Sequence, residues 1–316
     1  MAVILTTPRS FAGCKKAQDL LRQAGHEVRV QQLEKPYTAN ELCSVIKGVD
    51  ALIAGLDEIN GEVIRAGAPT LKIIARNGAG YNNIDMEAAR KNGVVVTVTP
   101  GTNSISVCEL AFALMMALAR KAHIMNENIR KGRWLRVPGT ELFGKTLGVL
   151  GTGAIGSELI KRCRAFGMKV MAYDLYPNEQ LAQNYDVAYT DLETIYREAD
   201  YLSLHLPSSE QTAKMINASV ISRMKKGAVI INTARGELVD DDALLAALES
   251  GQLGGAGLDA FVHEPFADQR FFTLDNVIMT PHSGSYTTES VERTLVAAAE
   301  EVLRVLGREK PLHAVY

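Results

Sequence analysis

The stretch Thr146–Asp174, TLGVLGTGAIGSELIKRCRAFGMKVMAYD, carries the strongest structural signal in this chain. It reads as a short apolar strand, a turn through Gly151, Gly153 and Gly156 into a helix, and a second strand that ends at Asp174. In a G-x-G-x-x-G turn, glycines permit a tight bend, close approach of a pyrophosphate and close packing of helix on strand. The helix N-terminus attracts the anion. Because the strand, the helix and the later acid are all present, the stretch predicts a dinucleotide site rather than an ordinary glycine turn.

Asp174 indicates that the dinucleotide is NAD rather than NADP. Its carboxylate is expected to accept hydrogen bonds from the adenosine ribose hydroxyls. Leu175 and Tyr176 follow it, so no adjacent Arg is offered to a 2′-phosphate. Two like charges about 4 Å apart repel by ~4 kcal/mol at an effective dielectric constant of about 20. Even half of that energy discriminates more than tenfold between the cofactors.

The composition is that of a globular protein, with 47% hydrophobic and 22% charged residues, and 316 residues suit two domains. A net charge of −2 gives no general attraction for nucleic acid or a membrane surface. The first residues do not resemble a secretory signal, and the apolar run Leu110–Ala119 is too short to span a bilayer. Four scattered cysteines show neither metal nor disulfide spacing. We therefore predict a cytoplasmic protein without a metal site.

Strands and helices alternate along the chain, which predicts parallel sheets covered by helices on both faces. The first group of predicted strands is Val3–Thr6, Glu27–Gln32, Ala51–Ala54, Leu71–Ala75 and Val94–Thr99. A second group of six is Leu147–Leu150, Lys169–Tyr173, Tyr201–Leu206, Ala228–Thr233, Gly255–Asp259 and Val277–Thr280. A boundary is predicted at Thr99-Pro100-Gly101, followed by a buried helix from about Ser104 to Ala122. Asn126–Phe143 is predicted to lie outside the core, and the last helix, Thr288–Leu306, to return to the first unit.

Three polar residues follow strands in the second half: Arg235, Glu264 and His282. Ligands of doubly wound sheets bind outside the carboxyl ends of the strands, so we expect these residues to converge. They suit the chemistry of a 2-hydroxy acid, in which a hydride leaves carbon and a proton moves on oxygen. His282 suits the proton transfer because the unperturbed pKa of histidine lies near 6.5. Glu264 is expected to orient the imidazole and favour its protonated form, and Arg235 to bind the carboxylate and the carbonyl oxygen.

Each of these residues alone also has an ordinary structural interpretation. An Arg after a strand is usually solvated, a Glu before Pro is usually a loop residue, and a His is often a structural hydrogen bonder. Their joint occurrence at three strand ends favours catalysis. His263 competes for the acid–base role, although its side chain and that of the adjacent Glu264 are expected to diverge. His205, at the end of another strand, is either a structural residue or part of a cofactor pocket.

The loop Arg76–Gly80, RNGAG, is the candidate substrate contact in the first half. Its glycines leave backbone N–H groups open to a carboxylate, and Arg76 adds a cation. We therefore predict that Arg76, Asn77 and Gly78 bind substrate. A solvated Arg76 at a strand end is about equally compatible with the sequence.

Seven stretches together carry a family resemblance: ARNGAGYNNID, TPGTNSISVCE, LGVLGTGAIG, LPSSEQT, INTARGELVD, GLDAFVHEP and TPHSG. The chain resembles the NAD-dependent D-2-hydroxyacid dehydrogenases, and within them the D-3-phosphoglycerate dehydrogenase branch in a short form without the regulatory domain. The resemblance implies two doubly wound parallel-sheet domains. A flavodoxin-like substrate-binding domain is expected over residues 1–102 and 287–316, with a Rossmann NAD-binding domain inserted over 103–286.

The resemblance also implies site residues and a homodimer. Arg235, Glu264 and His282 are implied to be the catalytic set. Cofactor contacts are implied at Ala154, Ile155, Asp174, Pro207, Thr212, Thr233, Ala234, Asp259 and Gly284. KGRWLR, residues 131–136, resembles the dimerisation arm, so dimerisation is expected through the NAD-binding domain. The chain departs from the family pattern at Ala154, where many members carry Arg or His, and at Asn82 and Ser283.

The implied activity is an oxidoreductase acting on a small anionic 2-hydroxy or 2-oxo acid. In phosphoglycerate dehydrogenases an Arg matching Arg76 helps to hold the phosphate, which favours 3-phosphoglycerate/3-phosphohydroxypyruvate here. The position of a second phosphate-binding Arg of some members is occupied by Gly55 in this chain. That cation is therefore missing, unless Arg133 or Arg136 of a dimer partner supplies it. A hydroxypyruvate- or glyoxylate-type acid is therefore the next candidate substrate. Phosphite oxidation stays open, as does an NAD-sensing corepressor-like binding protein, which the absence of a long disordered tail disfavours.

Overall fold

The computed structural model describes residues 1–31 and 35–316, and the chain divides into two compact units. The first unit comprises Met1–Asn103 and Tyr286–Tyr316, and the second comprises Ser104–Ser285. Among the described residues, no helix has the length and apolar character needed to cross a bilayer. The substrate-binding role of the first unit stays a prediction.

The first unit is built on a five-stranded parallel sheet in the order β2-β1-β3-β4-β5, the flavodoxin-like order. Its strands are β1 (Val3–Thr6), β2 (Glu27–Val30), β3 (Ala51–Ala54), β4 (Ile73–Arg76) and β5 (Val95–Thr97). Its helices are α1 (Lys15–Gln23), α2 (Ala39–Val45), α3 (Gly61–Gly67) and α4 (Met86–Lys91). The predicted strand Glu27–Gln32 ends at Gln32, which lies outside the described residues.

The second unit is built on a seven-stranded parallel sheet in the order β12-β11-β10-β9-β6-β7-β8. Its strands are β6 (Thr146–Leu150), β7 (Lys169–Tyr173), β8 (Val187–Tyr189), β9 (Tyr201–Leu204), β10 (Ala228–Asn232), β11 (Leu253–Leu258) and β12 (Val277–Met279). Its helices are α5 (Ser104–Arg120), α6 (Ala122–Arg130), α7 (Ala154–Ala165), α8 (Glu179–Tyr185), α9 (Leu192–Glu198), α10 (Ala218–Arg223) and α11 (Asp241–Glu249). The strand order reverses between β6 and β9, which places the ligand crevice of such a sheet at their carboxyl ends.

The predicted fold class is confirmed, since both units are α/β with parallel sheets. The prediction of six strands in the second half was wrong, because β8 adds a seventh. This strand has three residues, lies at the sheet edge and buries only Val187, so its apolar pattern is weak. The prediction that Asn126–Phe143 lies outside the core holds for α6, which continues to Arg130 with none of its side chains buried. It was wrong at Leu142, which is buried and packs in a core cluster of the second unit.

The last helix, α12 (Thr288–Leu306), completes the core of the first unit. Its buried face includes Leu295, Ala298, Ala299 and Val302, which pack among residues of β1, β3 and β4. The chain then returns along β5, where Val98 N–H donates to His313 O and Val315 N–H to Val96 O. The first sheet therefore depends for its packing on residues more than 200 positions away in sequence.

Candidate active site

The glycine-rich turn has a shape that accommodates a pyrophosphate. Gly151 has φ +95°, and a Cβ there would lie 2.7 Å from the carbonyl oxygen of His205. A Cβ at Gly156 would lie 2.0 Å from the carbonyl oxygen of Gly151. Gly153, the N-cap residue of α7, instead has no heavy atom within 4 Å of the position of a Cβ. The first and third glycines are thus required by packing, while the second leaves open space at a helix N-terminus.

Asp174 is held in place at the end of β7 by its neighbours. Its Oδ2 accepts hydrogen bonds from Thr152 N–H at 2.6 Å and Thr152 Oγ1 at 3.1 Å, and its Oδ1 accepts one from Tyr176 N–H at 2.9 Å. Leu175 and Tyr176 are 74% and 85% exposed. The carboxylate therefore lies beside the glycine turn, and the two residues that follow it offer no guanidinium to a 2′-phosphate, which suits NAD. Thr152 was not predicted as part of the site, because it occupies an x position of the G-x-G-x-x-G motif, where the motif specifies no residue type.

The other predicted cofactor residues lie after strands of the same sheet. Ala154 and Ile155 begin α7, and Thr233 and Ala234 follow β10. The Thr233 hydroxyl is buried and has no hydrogen-bond partner among the described residues, which leaves it free for a ligand. Pro207 and Thr212 belong to the loop after β9, where Thr212 Oγ1 donates to Pro207 O at 2.8 Å. The turn, Asp174 and the Thr233 hydroxyl together fit a dinucleotide.

Asp259 is buried, at 2% exposure, and its carboxylate organises the segment around His282. Oδ1 accepts hydrogen bonds from Thr280 Oγ1 at 2.5 Å and Ser283 N–H at 2.8 Å, and Oδ2 accepts one from Gly284 N–H at 2.8 Å. Asp259 and Gly284, both predicted to contact the cofactor, are therefore also bonded to each other. The residues on both sides of His282 depend on this one carboxylate.

His282 and Glu264 form a directly hydrogen-bonded pair. The imidazole Nδ1 lies 2.8 Å from Glu264 Oε1 and 2.9 Å from Oε2. The two side chains are 43% and 35% exposed, so the pair is open on one side. Glu264 Oε1 also accepts a hydrogen bond from Phe261 N–H at 3.1 Å, which fixes the carboxylate. His282 has φ +48°, an uncommon backbone conformation for a residue with a side chain.

Arg235 lies on the neighbouring loop and is half-buried. It follows β10, Glu264 follows β11 and His282 follows β12, and these three strands are adjacent in the sheet. A Cβ at Gly236 would lie 2.1 Å from the carbonyl carbon of Phe261, so the loops carrying Arg235 and Glu264 pack backbone to backbone. Arg235 Nη1 donates to Ala234 O at 2.7 Å. No hydrogen bond joins Arg235 to the other two side chains within the described part of the chain, and the catalytic roles stay predictions.

His205, the residue with two open interpretations, lies after β9 beside the glycine turn. Its Nε2 lies 2.9 Å from Ser203 Oγ, and its buried Nδ1 has no hydrogen-bond partner among residues 1–31 and 35–316. Burial lowers the pKa of His205 to about 4, so the imidazole is neutral at physiological pH. His263, the other competitor, is exposed next to Glu264.

The predicted substrate residues lie in the first unit, at the end of β4. Arg76 is 8% exposed, and its Nη1 donates to Asn77 O. Gly78 has φ +142°, and its N–H donates to Thr99 Oγ1 at 2.9 Å while its carbonyl accepts from Thr99 N–H at 3.0 Å. The loop is therefore hydrogen-bonded to Thr99, two residues after β5, and the guanidinium of Arg76 lies against its own loop rather than in solvent.

A buried carboxylate in the first unit was missed in the sequence. Asp57 is 1% exposed and follows β3, the strand next to β4. It accepts hydrogen bonds from Gly55 N–H at 2.9 Å, Tyr37 N–H at 2.9 Å and the Thr7 hydroxyl. An acid in the loop sequence GLDEI resembles a solvated loop residue, so only the structure identifies Asp57 as the anchor of this loop.

Comparisons with known proteins agree with this geometry. Residues 112–284 match a family profile described as the NAD binding domain of D-isomer specific 2-hydroxyacid dehydrogenase. A hydroxypyruvate reductase of Thermotoga maritima is 41% identical over 296 residues, covering 92% of this chain and 94% of that protein. A D-3-phosphoglycerate dehydrogenase of Synechocystis is 38% identical over 306 residues, covering 94% of this chain but only 55% of that protein.

The fold of the whole chain is likewise similar to a solved structure. A D-lactate dehydrogenase from Aquifex aeolicus, crystallised with NAD and lactic acid, has a TM-score of 0.84 and 30% sequence identity. The match covers 97% of this chain and 96% of that one. The similarity therefore extends over both units and not only over the glycine-rich turn.

Proposed function

Because the chain belongs to the D-isomer specific 2-hydroxyacid dehydrogenase family, we propose that His282, Glu264 and Arg235 catalyse interconversion of a D-2-hydroxy acid and its 2-oxo acid. The observation that carries this proposal is the His282–Glu264 pair, with both carboxylate oxygens within 2.9 Å of Nδ1. It lies at the carboxyl edge of the sheet that carries the glycine turn. A positioned acid–base pair at that edge is what the proton transfer requires.

The proton transfer follows from the geometry of this pair. Nδ1–H donates to Glu264, so Nε2 is the nitrogen left to exchange a proton with the substrate oxygen. In reduction, the protonated imidazole donates Nε2–H to the carbonyl oxygen; in oxidation, the neutral ring takes the hydroxyl proton. Glu264 orients the ring and compensates its positive charge. Arg235, with its planar fork of donors, binds the substrate carboxylate and polarises the carbonyl oxygen.

The dinucleotide would be held by the glycine turn at its pyrophosphate, by Asp174 at the adenosine ribose and by Thr233 through its free hydroxyl. NAD supplies the acceptor or donor of the hydride when bound. The other residues proposed as cofactor contacts are Ala154, Ile155, Pro207, Thr212, Ala234, Asp259 and Gly284.

For the substrate, we propose a short unphosphorylated 2-oxo acid of the hydroxypyruvate or glyoxylate type. Two observations support this choice over the phosphorylated substrate that the sequence favoured. The cation of Arg76 lies against its own loop, and the neighbouring loop after β3 is anchored by the buried carboxylate of Asp57. A dianionic phosphate bound by Arg76 would lie at the carboxyl ends of the adjacent strands β3 and β4, the same sheet edge as this carboxylate, and is disfavoured because like charges repel.

The second candidate is the 3-phosphoglycerate/3-phosphohydroxypyruvate pair, and the observation that favours it is Arg76 itself. A guanidinium at the end of a central strand, beside the backbone of Asn77 and Gly78, is suited to an anionic group. These three residues remain the proposed substrate contacts of the first unit under either candidate.

Steady-state consumption of NADH tests both proposals. Hydroxypyruvate, glyoxylate and 3-phosphohydroxypyruvate are compared in the parent protein, in Arg76→Ala and in His282→Ala. We expect His282→Ala to lower kcat by ~10²–10⁴-fold, the usual worth of a positioned acid or base. The adjacent His263→Ala is the matched control and is expected to retain parental kcat.

Near-parental turnover in His282→Ala would assign the proton transfer to another group. A kcat/KM that is higher for phosphohydroxypyruvate than for hydroxypyruvate, and that falls selectively in Arg76→Ala, would establish the phosphorylated substrate instead. Turnover of none of these acids would leave phosphite oxidation and the NAD-sensing binding protein as the open alternatives.

We also propose a cytoplasmic homodimer that associates through the second unit. The segment 131–143 exposes Trp134, Leu135 and Phe143 by 85%, 56% and 74%. Large apolar side chains clustered in one exposed segment are typical of an interaction surface. All four cysteines are free thiols, which suits a reducing compartment. Sedimentation of the parent and of Trp134→Ser is the test of the dimer, and a monomeric parent at micromolar concentration would contradict it.

A further inference from the structure

A cavity lies in the second unit, at the amino ends of the strands rather than their carboxyl ends. It has a volume of about 290 Å³ and is bordered by Lys145 before β6, Tyr201 at the start of β9 and Ala228 at the start of β10. The glycine turn and His282 instead follow the carboxyl ends of strands of this sheet. A five-residue strand spans about 17 Å. The cavity is therefore separate from the candidate active site.

The lining of this cavity is strongly cationic, with four lysines at positions Lys121, Lys145, Lys225 and Lys226. One carboxylate, Asp200, faces them. Its Oδ1 accepts a hydrogen bond from Lys225 Nζ at 3.2 Å, and its Oδ2 is taken by Thr146 N–H at 2.8 Å. For the other three lysines, no carboxylate of the described residues lies within the 4.0 Å of an ion pair. The lining thus carries an excess of three positive charges.

The wall beside these lysines is firmly built. Gly139 packs against the end of α5 so closely that a Cβ would lie 2.6 Å from Ala119 O. The next residue, Thr140, donates its N–H to the same carbonyl at 2.8 Å, and its hydroxyl lies 3.5 Å from that of Tyr201. The cavity is therefore a fixed feature of the second unit rather than a gap beneath a loose segment.

We propose that this cavity binds a small polyanion that carries phosphate groups. Lys121, Lys145 and Lys225 are only partly exposed, so their mutual repulsion is less screened than on an open surface, and an anion relieves it. The ammonium groups act as point charges suited to phosphate oxygens. At about 290 Å³ the cavity lies at the lower limit of ligand pockets. It has room for a pyrophosphate-sized molecule and not for a dinucleotide.

Calorimetric titration with inorganic pyrophosphate tests this site. The protein is first saturated with NADH, so that the glycine turn is occupied and cannot account for the binding. We expect one pyrophosphate per chain, with an affinity that falls as salt rises. The double variant Lys145→Gln/Lys226→Gln removes two cations that make no ion pair with the described residues. It should weaken the Kd at least tenfold, since each lost charge-assisted contact is worth about tenfold or more.

The matched control is Lys169→Gln, an exposed lysine at the amino end of β7, on the same sheet edge but outside the cavity lining. It should retain the parental Kd. Unfolding temperatures of the unliganded variants verify that each is folded. The proposal is overturned if the NADH-saturated protein does not bind millimolar pyrophosphate. It is also overturned if the double variant binds as the parent does, or if Lys169→Gln weakens binding equally.

Discussion

Replacing Asp259 by Asn tests whether one buried carboxylate holds the segment that carries His282. The carboxylate accepts three hydrogen bonds, two at Oδ1 and one at Oδ2, from Thr280, Ser283 and Gly284. An Asn side chain has one acceptor oxygen and one NH₂ group. Whichever way the amide is turned, its NH₂ faces the backbone N–H of Ser283 or of Gly284, which then loses its acceptor.

The magnitude follows from counting these bonds. Leaving one buried N–H without an acceptor costs about 1–3 kcal/mol, and the bonds that remain lose the charge assistance that roughly doubles their strength. We therefore expect Asp259→Asn to lower the free energy of unfolding by ~2–4 kcal/mol. Because His282 lies between two of the bonded residues, kcat should fall as well. Misplacement of a reacting group by about 1 Å costs on the order of 10²-fold.

The assay is urea unfolding of the protein without cofactor, followed by steady-state kinetics. Asp259 is also a proposed cofactor contact, and the absence of cofactor isolates its internal role. Asp275→Asn is the control, because Asp275 is exposed before β12 and its carboxylate makes no hydrogen bond among the described residues. If cofactor-free Asp259→Asn unfolds within about 0.5 kcal/mol of the parent, the usual effect of a surface substitution, the reasoning is refuted.

Three further results are expected. Gly156→Ala should abolish NADH binding or folding, because its Cβ would lie 2.0 Å from Gly151 O; calorimetry and unfolding temperature measure the two effects, and parental values for both would contradict the packing argument. Asp174→Asn should reduce the preference for NADH over NADPH by about tenfold or more, and fluorescence titration that finds tighter NADPH binding in the parent would count against this role. Because the pKa of His205 is lowered to about 4, protonation favours the unfolded state, and the free energy of unfolding should fall by up to ~3 kcal/mol between pH 6.5 and pH 4. His205→Gln should lack this part of the fall in the free energy of unfolding. A pH dependence identical to the parent's would show that His205 does not contribute it.

The elements that the sequence predicted well are those with a local physical signature. The glycine turn is recognisable in the sequence because the backbone geometry admits only glycine at Gly151 and Gly156. The capping box of Thr38 and Glu41 has a local signature of another kind, since both of its hydrogen bonds are made within four residues. Membership of the family then confirms the predicted dehydrogenase class and the NAD cofactor.

The features that the sequence did not predict depend on distant partners. β8 forms because it pairs with the free edge of β7. Its three residues, one of which is buried, show too little hydrophobic alternation to predict a strand from the sequence. In the sequence, Asp57 and Asp259 resemble any other acidic loop residue. Only the hydrogen-bond donors that surround them in the structure show that each carboxylate holds its loop in place. The cationic cavity is assembled from lysines that span the sequence from Lys121 to Lys226, each of which alone resembles a solvated residue.

The position of α12 has a consequence for the order in which the protein acquires its structure during synthesis. Residues 104–285, a complete unit, leave the ribosome before the helix that supplies Leu295, Ala298, Ala299 and Val302 to the first unit. Domains generally fold as units as they emerge. The N-terminal unit, although made first, must therefore finish last, and until then it exposes the apolar face of its sheet. Nascent chains stalled before residue 288 should accordingly be protease-resistant over the second unit and protease-sensitive over the first.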